Sequence, residues 1–160
     1  SWSRMPTSTT CSARSFSRER PAVRQAAATL EFRTAGRGFT EITGEIAQWL
    51  GDTGIEAGLL SILCRHTSAS LLITENASPA VLRDIAAWLD RVAPEGGHYA
   101  HDDEGPDDMP AHLKSALTGV NLSLPVAGGR MALGTWQGIF LAEHRARPHR
   151  RSVALHLIGE

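Results

Sequence analysis

From Val23 onward the apolar residues switch repeatedly between a spacing of two and a spacing of three to four, the periods of a half-buried strand and of an amphipathic helix. Ala28-Thr-Leu-Glu-Phe-Arg33 alternates as a strand. Gly36-Arg-Gly38 turns it into a helix whose apolar positions Ile42, Ile46, Trp49 and Leu50 keep helical spacing, and Gly51 closes that helix. Gly58-Leu-Leu-Ser-Ile-Leu-Cys64 reads as a buried strand, with Ala69 to Thr74 as its neighbour beyond the His66-Thr-Ser68 turn. Ser78 caps a second helix with Pro79 at its first position, where a missing N–H costs nothing. Val81, Leu82, Ile85, Trp88, Leu89 and Val92 form its apolar stripe, and Pro94 to Gly97 end it.

A short helix from about Pro110 to Leu117 carries His112 in its first turn. Three period-two runs follow: Val120/Leu122/Leu124/Val126, then Met131/Leu133 with Ile139/Leu141, then Val153/Leu155/Leu157. Gly128-Gly129 between the first two is a hairpin signal and makes those strands antiparallel. The pattern predicts an α+β domain over residues 23–160, with a mixed, largely antiparallel sheet and two to three helices.

Composition narrows the function classes. The 160 residues carry 42% hydrophobic side chains and a formal charge of −1, which fits one ordinary globular domain. Arg145, Arg147, Arg150 and Arg151 are local and offset by acidic residues, so no basic field for nucleic acid is expected. No apolar run approaches the roughly 20 residues that span a bilayer, so no membrane partner is expected. Residues 1–22 are rich in Ser, Thr and Arg, lack periodicity, and are expected to form a tail outside the domain. Cys11 and Cys64 cannot build a disulfide framework, and the expected compartment is the reducing cytoplasm.

Candidate chemistry concentrates in three regions. His66-Thr67-Ser68 follows a buried strand directly, so an imidazole and hydroxyls emerge where a scaffold positions them well; a turn satisfying its own backbone explains them equally. Glu75-Asn76 ends the next strand and either faces the same cleft or introduces the helix. His101 and His112 bracket Asp102, Asp103, Glu104, Asp107 and Asp108, a segment that reads as a metal or acid/base site or as a solvated acidic loop. In Gly134-Thr-Trp136-Gln137-Gly138 the glycines allow a ligand close to the backbone, while Trp136 also suits a core position. Glu143-His-Arg145 follows, and the arginines from Arg145 to Arg151 are able to fork onto a phosphate or to form a solvated charged end. Cys64 is read as a small buried hydrophobe, with a pocket nucleophile as the lesser alternative.

Taken together, His66-Thr-Ser-Ala-Ser-Leu-Leu-Ile-Thr-Glu75, Tyr99-Ala-His101, Asp107-Asp-Met-Pro-Ala-His112, Gly134-Thr-Trp-Gln-Gly-Ile139 and Glu143-His-Arg145 resemble the signature blocks of the YjbQ-like family, in its order and spacing from about Val23 to Glu160. The resemblance implies a YjbQ-like α+β subunit that assembles as a homotrimer around a metal-binding pocket near subunit contacts. It also implies a secondary thiamine-phosphate synthase activity, joining a hydroxymethylpyrimidine diphosphate to a thiazole phosphate. That chemistry asks for a divalent ion, with Zn and Mg the leading identities, and for positive charge on the leaving diphosphate. By resemblance, His66, His101 and His112 are metal ligands; His66, Glu75, Gln137 and Glu143 are catalytic; Thr67, Ser68, Asp107, Asp108 and Trp136 contact substrate. Many relatives carry Asn where this chain has Asp108, and Asp-Gly-Pro-Arg where it has His144-Arg-Ala-Arg147, so His144 is not carried over as a ligand. The alternatives are a metal-assisted hydrolase of a small phosphorylated molecule, with Glu75 or Glu143 as base, and a non-catalytic module that binds a small molecule or metal.

Overall fold

A computed structural model describes residues 22–160. The expected N-terminal tail and Cys11 lie outside these residues. In chain order the elements are β1 (Arg24–Arg33), β2 (Gly38–Glu41), α1 (Thr43–Thr53), β3 (Ala57–Cys64), β4 (Ala69–Glu75), α2 (Pro79–Val92), α3 (Asp108–Thr118), β5 (Asn121–Ala127), β6 (Arg130–Met131), β7 (Gln137–Glu143) and β8 (Arg150–Gly159). No helix among the described residues is long and apolar enough to cross a membrane.

The strands form two sheets, of order β1-β8-β3-β5-β6 and β2-β7-β4. Every pairing among the described residues is antiparallel, so the sheet expected to be mixed is not. Period-two alternation sets the inner face of the larger sheet: Leu60, Ile62 and Cys64, Leu124 and Val126, and Val153, Leu155 and Leu157 all point into one core. Ile139 and Leu141 of β7, Leu71 of β4, and Ile42, Ile46 and Leu50 at and within α1 close that core from the other side. β7 is buried from Gly138 to Glu143 without alternation, which requires cover on both faces. The larger sheet supplies one cover. On the other face α3 binds β4, with Ser115 Oγ donating to the Ala69 carbonyl at 2.8 Å.

Four local expectations change. A short strand, β2, stands between Gly36 and α1, because Phe39 and Thr40 pair with Ala142 and Leu141 at the free edge of β7. Gly51 lies inside α1, which ends instead at Gly54, whose φ of 63° is the left-handed cap that glycine adopts freely. β4 is not the neighbour of β3: both edges of β3 are taken by β5 and β8, so the His66–Ser68 turn carries the chain across to the other sheet. Met131 and Ile139, read as one pair of runs, also fall in different sheets. By contrast, Ser78 caps α2 with Pro79 in its first turn, and Gly128 and Gly129, at φ of 58° and 69°, make the β5–β6 hairpin, as expected.

Candidate metal centre

α3 begins two residues earlier than periodicity suggests. Pro110 falls at its third position, within the first turn, where no intrahelical acceptor is missed. Starting at Asp108 places Asp108 and His112 one turn apart on the same helix face. The preceding loop brings in His101, whose ring centroid lies 5.6 Å from that of His112. The result is a three-residue cluster: Asp108 Oδ2 is 2.8 Å from His101 Nε2 and 3.3 Å from His112 Nε2.

Two details make this cluster a candidate cation site. Asp108 is 1% exposed, yet its Oδ2 has no partner in hydrogen-bond geometry, an unsatisfied state that costs stability unless something positive meets it. His112 donates Nδ1–H to the Thr67 carbonyl at 2.9 Å, which leaves Nε2 facing that same oxygen. A histidine whose second nitrogen donates to a backbone carbonyl is the usual outer support of a metal ligand. Among the described residues, His101, Asp108 and His112 are the group whose ligand atoms converge, all within 4.8 Å of one another.

The loop itself is clamped from below. Arg145 reaches Asp107 Oδ2 through Nε at 3.1 Å, donates Nη2–H to the Glu104 carbonyl at 2.9 Å, and pairs with Asp108 Oδ1 through Nη1. Asp107 Oδ2 also accepts the Ala146 N–H at 2.8 Å. Burial alone would raise the Asp107 carboxyl, but the Ala146 N–H and the Arg145 guanidinium outweigh it and hold the group below the usual carboxylate range. Asp107, read as a substrate contact, is therefore a structural anchor. A cleft of about 360 Å³ opens beside His101, lined by Gly97, Tyr99, Met109 and Pro110 among others. Tyr99 is fixed there by donating its hydroxyl to the Pro94 carbonyl at 2.9 Å.

The remaining site residues fall elsewhere. His66 does not join His101 and His112: its Nε2 accepts the Ser152 N–H at 2.7 Å, extending the strand pairing by one ring. That bond needs a neutral imidazole; burial first, then the Arg151 charge, lowers its proton affinity. Thr67 contributes its carbonyl to His112, and Ser68 Oγ accepts from Arg151 at 3.1 Å. Glu143 is not a free base. Its oxygens take Arg151 Nε and Nη2 at 2.7 and 2.6 Å, Thr34 Oγ1 at 2.9 Å and the Arg145 N–H at 2.9 Å. Burial raises its proton affinity, but those hydrogen bonds, Arg151 first, bring it below the normal range.

Glu75 and Gln137 face each other across β4 and β7, six residues from Ala69 and so about 20 Å from the metal-cluster end of the sheet at 3.3 Å per residue. They do not share a cleft with His66 within the subunit. Gln137 Oε1 accepts the Gly134 N–H at 2.8 Å, closing the turn that leaves Trp136 65% exposed rather than in the core. The space beside Gly138 is filled by the Glu41 carboxylate and Asn76, so that glycine serves packing rather than ligand approach. Cys64 is buried at the core face of β3, and burial pushes its thiol up, which makes it an inert filler.

Arg145 as the clamp and Asp108 as a member of the cluster were not singled out from sequence. The Asp-x-x-x-His spacing would have shown the second, given the helix start at residue 108. A further feature also escaped it. His144 Nε2 and Ser70 Oγ share a hydrogen bond of 2.8 Å, and Thr118 Oγ1 lies 2.6 Å from the same hydroxyl. Burial, then the nearby Lys114 charge, lower the His144 pKa to about 4, so this ring is a neutral part of the interior and not a ligand.

Comparison with known proteins places this architecture. The family model for the UPF0047 protein YjbQ-like family matches residues 28–160. A UPF0047 protein of Synechocystis is 47% identical over 132 residues, covering 82% of this chain and 90% of that protein. The UPF0047 protein YjbQ of Escherichia coli O157:H7 is 46% identical over 133 residues, covering 82% of this chain and 96% of that one. The crystal structure of a YjbQ/UPF0047 family protein from Clostridium acetobutylicum superposes with a TM-score of 0.71 at 35% identity, over 81% of this chain and 97% of that chain. A protein of unknown function from Sulfolobus solfataricus shares the fold at 22% identity, with a TM-score of 0.77 over 86% and 100% of the two chains. The three helices and antiparallel sheets described above are thus those of a known group, and the chain belongs to the UPF0047 protein YjbQ-like family.

Proposed function

We propose that this protein is a metal-dependent enzyme acting on a small phosphorylated molecule, with its divalent ion held by His101 Nε2, Asp108 Oδ2 and His112 Nε2. The observation that carries the reading is the buried Asp108 oxygen, which makes no hydrogen bond of good geometry and faces two imidazole nitrogens. Three protein ligands with the remaining positions open is the arrangement of catalytic rather than structural sites, and two His with one carboxylate suits Zn, Mn or Fe better than Mg, which prefers oxygen ligands. A divalent ion bound there supplies positive charge to a leaving diphosphate or lowers the pKa of a water. The chain's own contribution is positional: the Thr67 carbonyl orients His112, Arg145 holds Asp108, and the cleft beside His101 offers Tyr99 and Met109 to a flat heteroaromatic ring.

The reaction named by the family resemblance fits these features. In it a thiazole nitrogen forms a C–N bond to the pyrimidine methylene carbon while the C–O bond to the diphosphate breaks, and pyrophosphate leaves with that electron pair. No base is consumed, so the reaction does not call on Glu143, whose charge is taken by Arg151. Assembly as a homotrimer is part of the same proposal. It is supported by the outer face of the larger sheet, where Leu59, Leu63 and Ile158 remain 45%, 44% and 42% exposed.

The test is turnover by metal-loaded protein given hydroxymethylpyrimidine diphosphate and thiazole phosphate, following thiamine phosphate and pyrophosphate together. The expected result is equal release of both products, abolished by chelation and by His112→Ala. Phosphate release without a coupled product would move the assignment to a metal-assisted hydrolase. Stoichiometric metal without turnover of any phosphorylated substrate would leave a binding module.

A further inference from the structure

One corner of the larger sheet sets three arginines against a single carboxylate. Along β1 and β8 the residues Phe32 and Arg151 point inward, so their neighbours Arg33 and Arg150 both point outward. The register sets these two arginines directly opposite each other, about 5 Å apart at the backbone. Like charges in that relation are destabilising unless an anion lies between them. Arg65, which continues β3 past Cys64 and donates its N–H to the Ser152 carbonyl at 3.1 Å, is their diagonal neighbour on the same face. None of the three takes part in an ion pair among the described residues, and Glu31 is the one carboxylate at this corner.

His66 follows Arg65 where β3 ends, with Glu31 and Arg65 among the charges around it. Its Nε2 accepts from Ser152, which sits in register between Glu31 and Arg65, so its ring proton is on Nδ1, at the edge away from that bond. The corner therefore presents three guanidinium groups and one neutral imidazole N–H donor. Guanidinium forks match the oxygens of a phosphate, and an imidazole N–H adds a directional bond. The cluster spans only a few residues, and the chain as a whole carries a formal charge of −1, so its reach suits one small anion rather than a nucleic-acid backbone.

We propose that Arg33, Arg65, Arg150 and His66 form a binding site for the phosphate group of a small molecule. The site shares only Arg150 with the Arg145 to Arg151 cluster suggested by sequence, because Arg145 and Arg151 are consumed by Asp107, Asp108 and Glu143. It lies across the His66–Ser68 turn from the metal cluster, and Thr67, next to His66, is the residue whose carbonyl holds His112. Identifying the bound anion with the substrate's phosphate rests on the metal-enzyme reading; the anion site itself does not.

The experiment uses inorganic phosphate as the probe and metal-free, chelator-treated protein, so that its outcome is independent of the metal centre. Calorimetric titration should show saturable binding. Arg33→Ala and Arg150→Ala should each weaken it about tenfold, the effect of losing one charge-assisted hydrogen bond, and Arg150→Lys should fall between, since it keeps charge but loses the fork. The His66 ring proton should shift on titration in the nuclear magnetic resonance spectrum. His101→Ala/His112→Ala should bind phosphate as the wild type does. Absence of saturable binding, or binding unchanged in folded Arg33→Ala and Arg150→Ala, would overturn the proposal whatever the metal content proves to be.

Discussion

The interior histidine gives the most quantitative prediction. His144 is 3% exposed, and burial together with Lys114 lowers its pKa from 6.5 to about 4. In the unfolded chain the same ring takes up a proton as the pH falls below 6.5, while in the folded chain it stays neutral until about 4. The neutral ring's contribution is therefore complete above that upper value, declines through the window, and is fully lost below the lower one. At about 1.4 kcal/mol per tenfold change in proton affinity, the whole window is worth about 3 kcal/mol, of which about 2.5 kcal/mol is spent on going from about pH 7 to about pH 4.5. Glu143 and Asp107, whose pKa values are also lowered, lose stability on acidification too, so the wild type alone does not isolate the term. His144→Gln does: the amide retains a partner for Ser70 and does not titrate. Urea unfolding at the two pH values should show the wild type losing about 2.5 kcal/mol more than the variant. Equal losses in both proteins would refute the assignment of His144 as a neutral interior group.

Three other outcomes follow from the geometry. Arg151→Met strands the buried Glu143 carboxylate and should cost about 3–5 kcal/mol in urea unfolding, most of it regained in Arg151→Met/Glu143→Leu. Trp136→Ala should leave unfolding free energy within about 0.5 kcal/mol of wild type and leave metal content unchanged, since the ring is exposed at the far end of β4 and β7. Peptide mapping after alkylation should find Cys64 unmodified in folded protein and modified in denaturant, because the thiol is buried and its proton affinity raised.

The elements most visible in the sequence were those with their own local chemistry. Ser78-Pro79 fixes the start of α2, and Gly128-Gly129 fixes the β5–β6 hairpin, because caps and tight turns are decided by the residues at the site. The division of strands between two sheets was not visible. Alternation along Ala69 to Thr74 says which face is buried but not which partner lies beside it, and the choice was made by β5 and β8 already occupying β3. The cluster of His101, Asp108 and His112 was half legible: the two histidines stood out by residue type, whereas Asp108 needed the helix start. Glu143 illustrates the converse. It looks catalytic in sequence, yet Arg151, eight residues on in β8, uses up its charge.

The central claim is that His101, Asp108 and His112 hold a divalent ion, and elemental analysis of protein purified without a polyhistidine tag tests it most directly. Wild type should carry one ion per chain, as isolated or after incubation with Zn, Mn or Mg followed by desalting. Folded Asp108→Asn, and folded His101→Ala/His112→Ala, should carry none. Wild type that takes up no ion under any of these conditions, or variants that retain a full equivalent, would contradict the account.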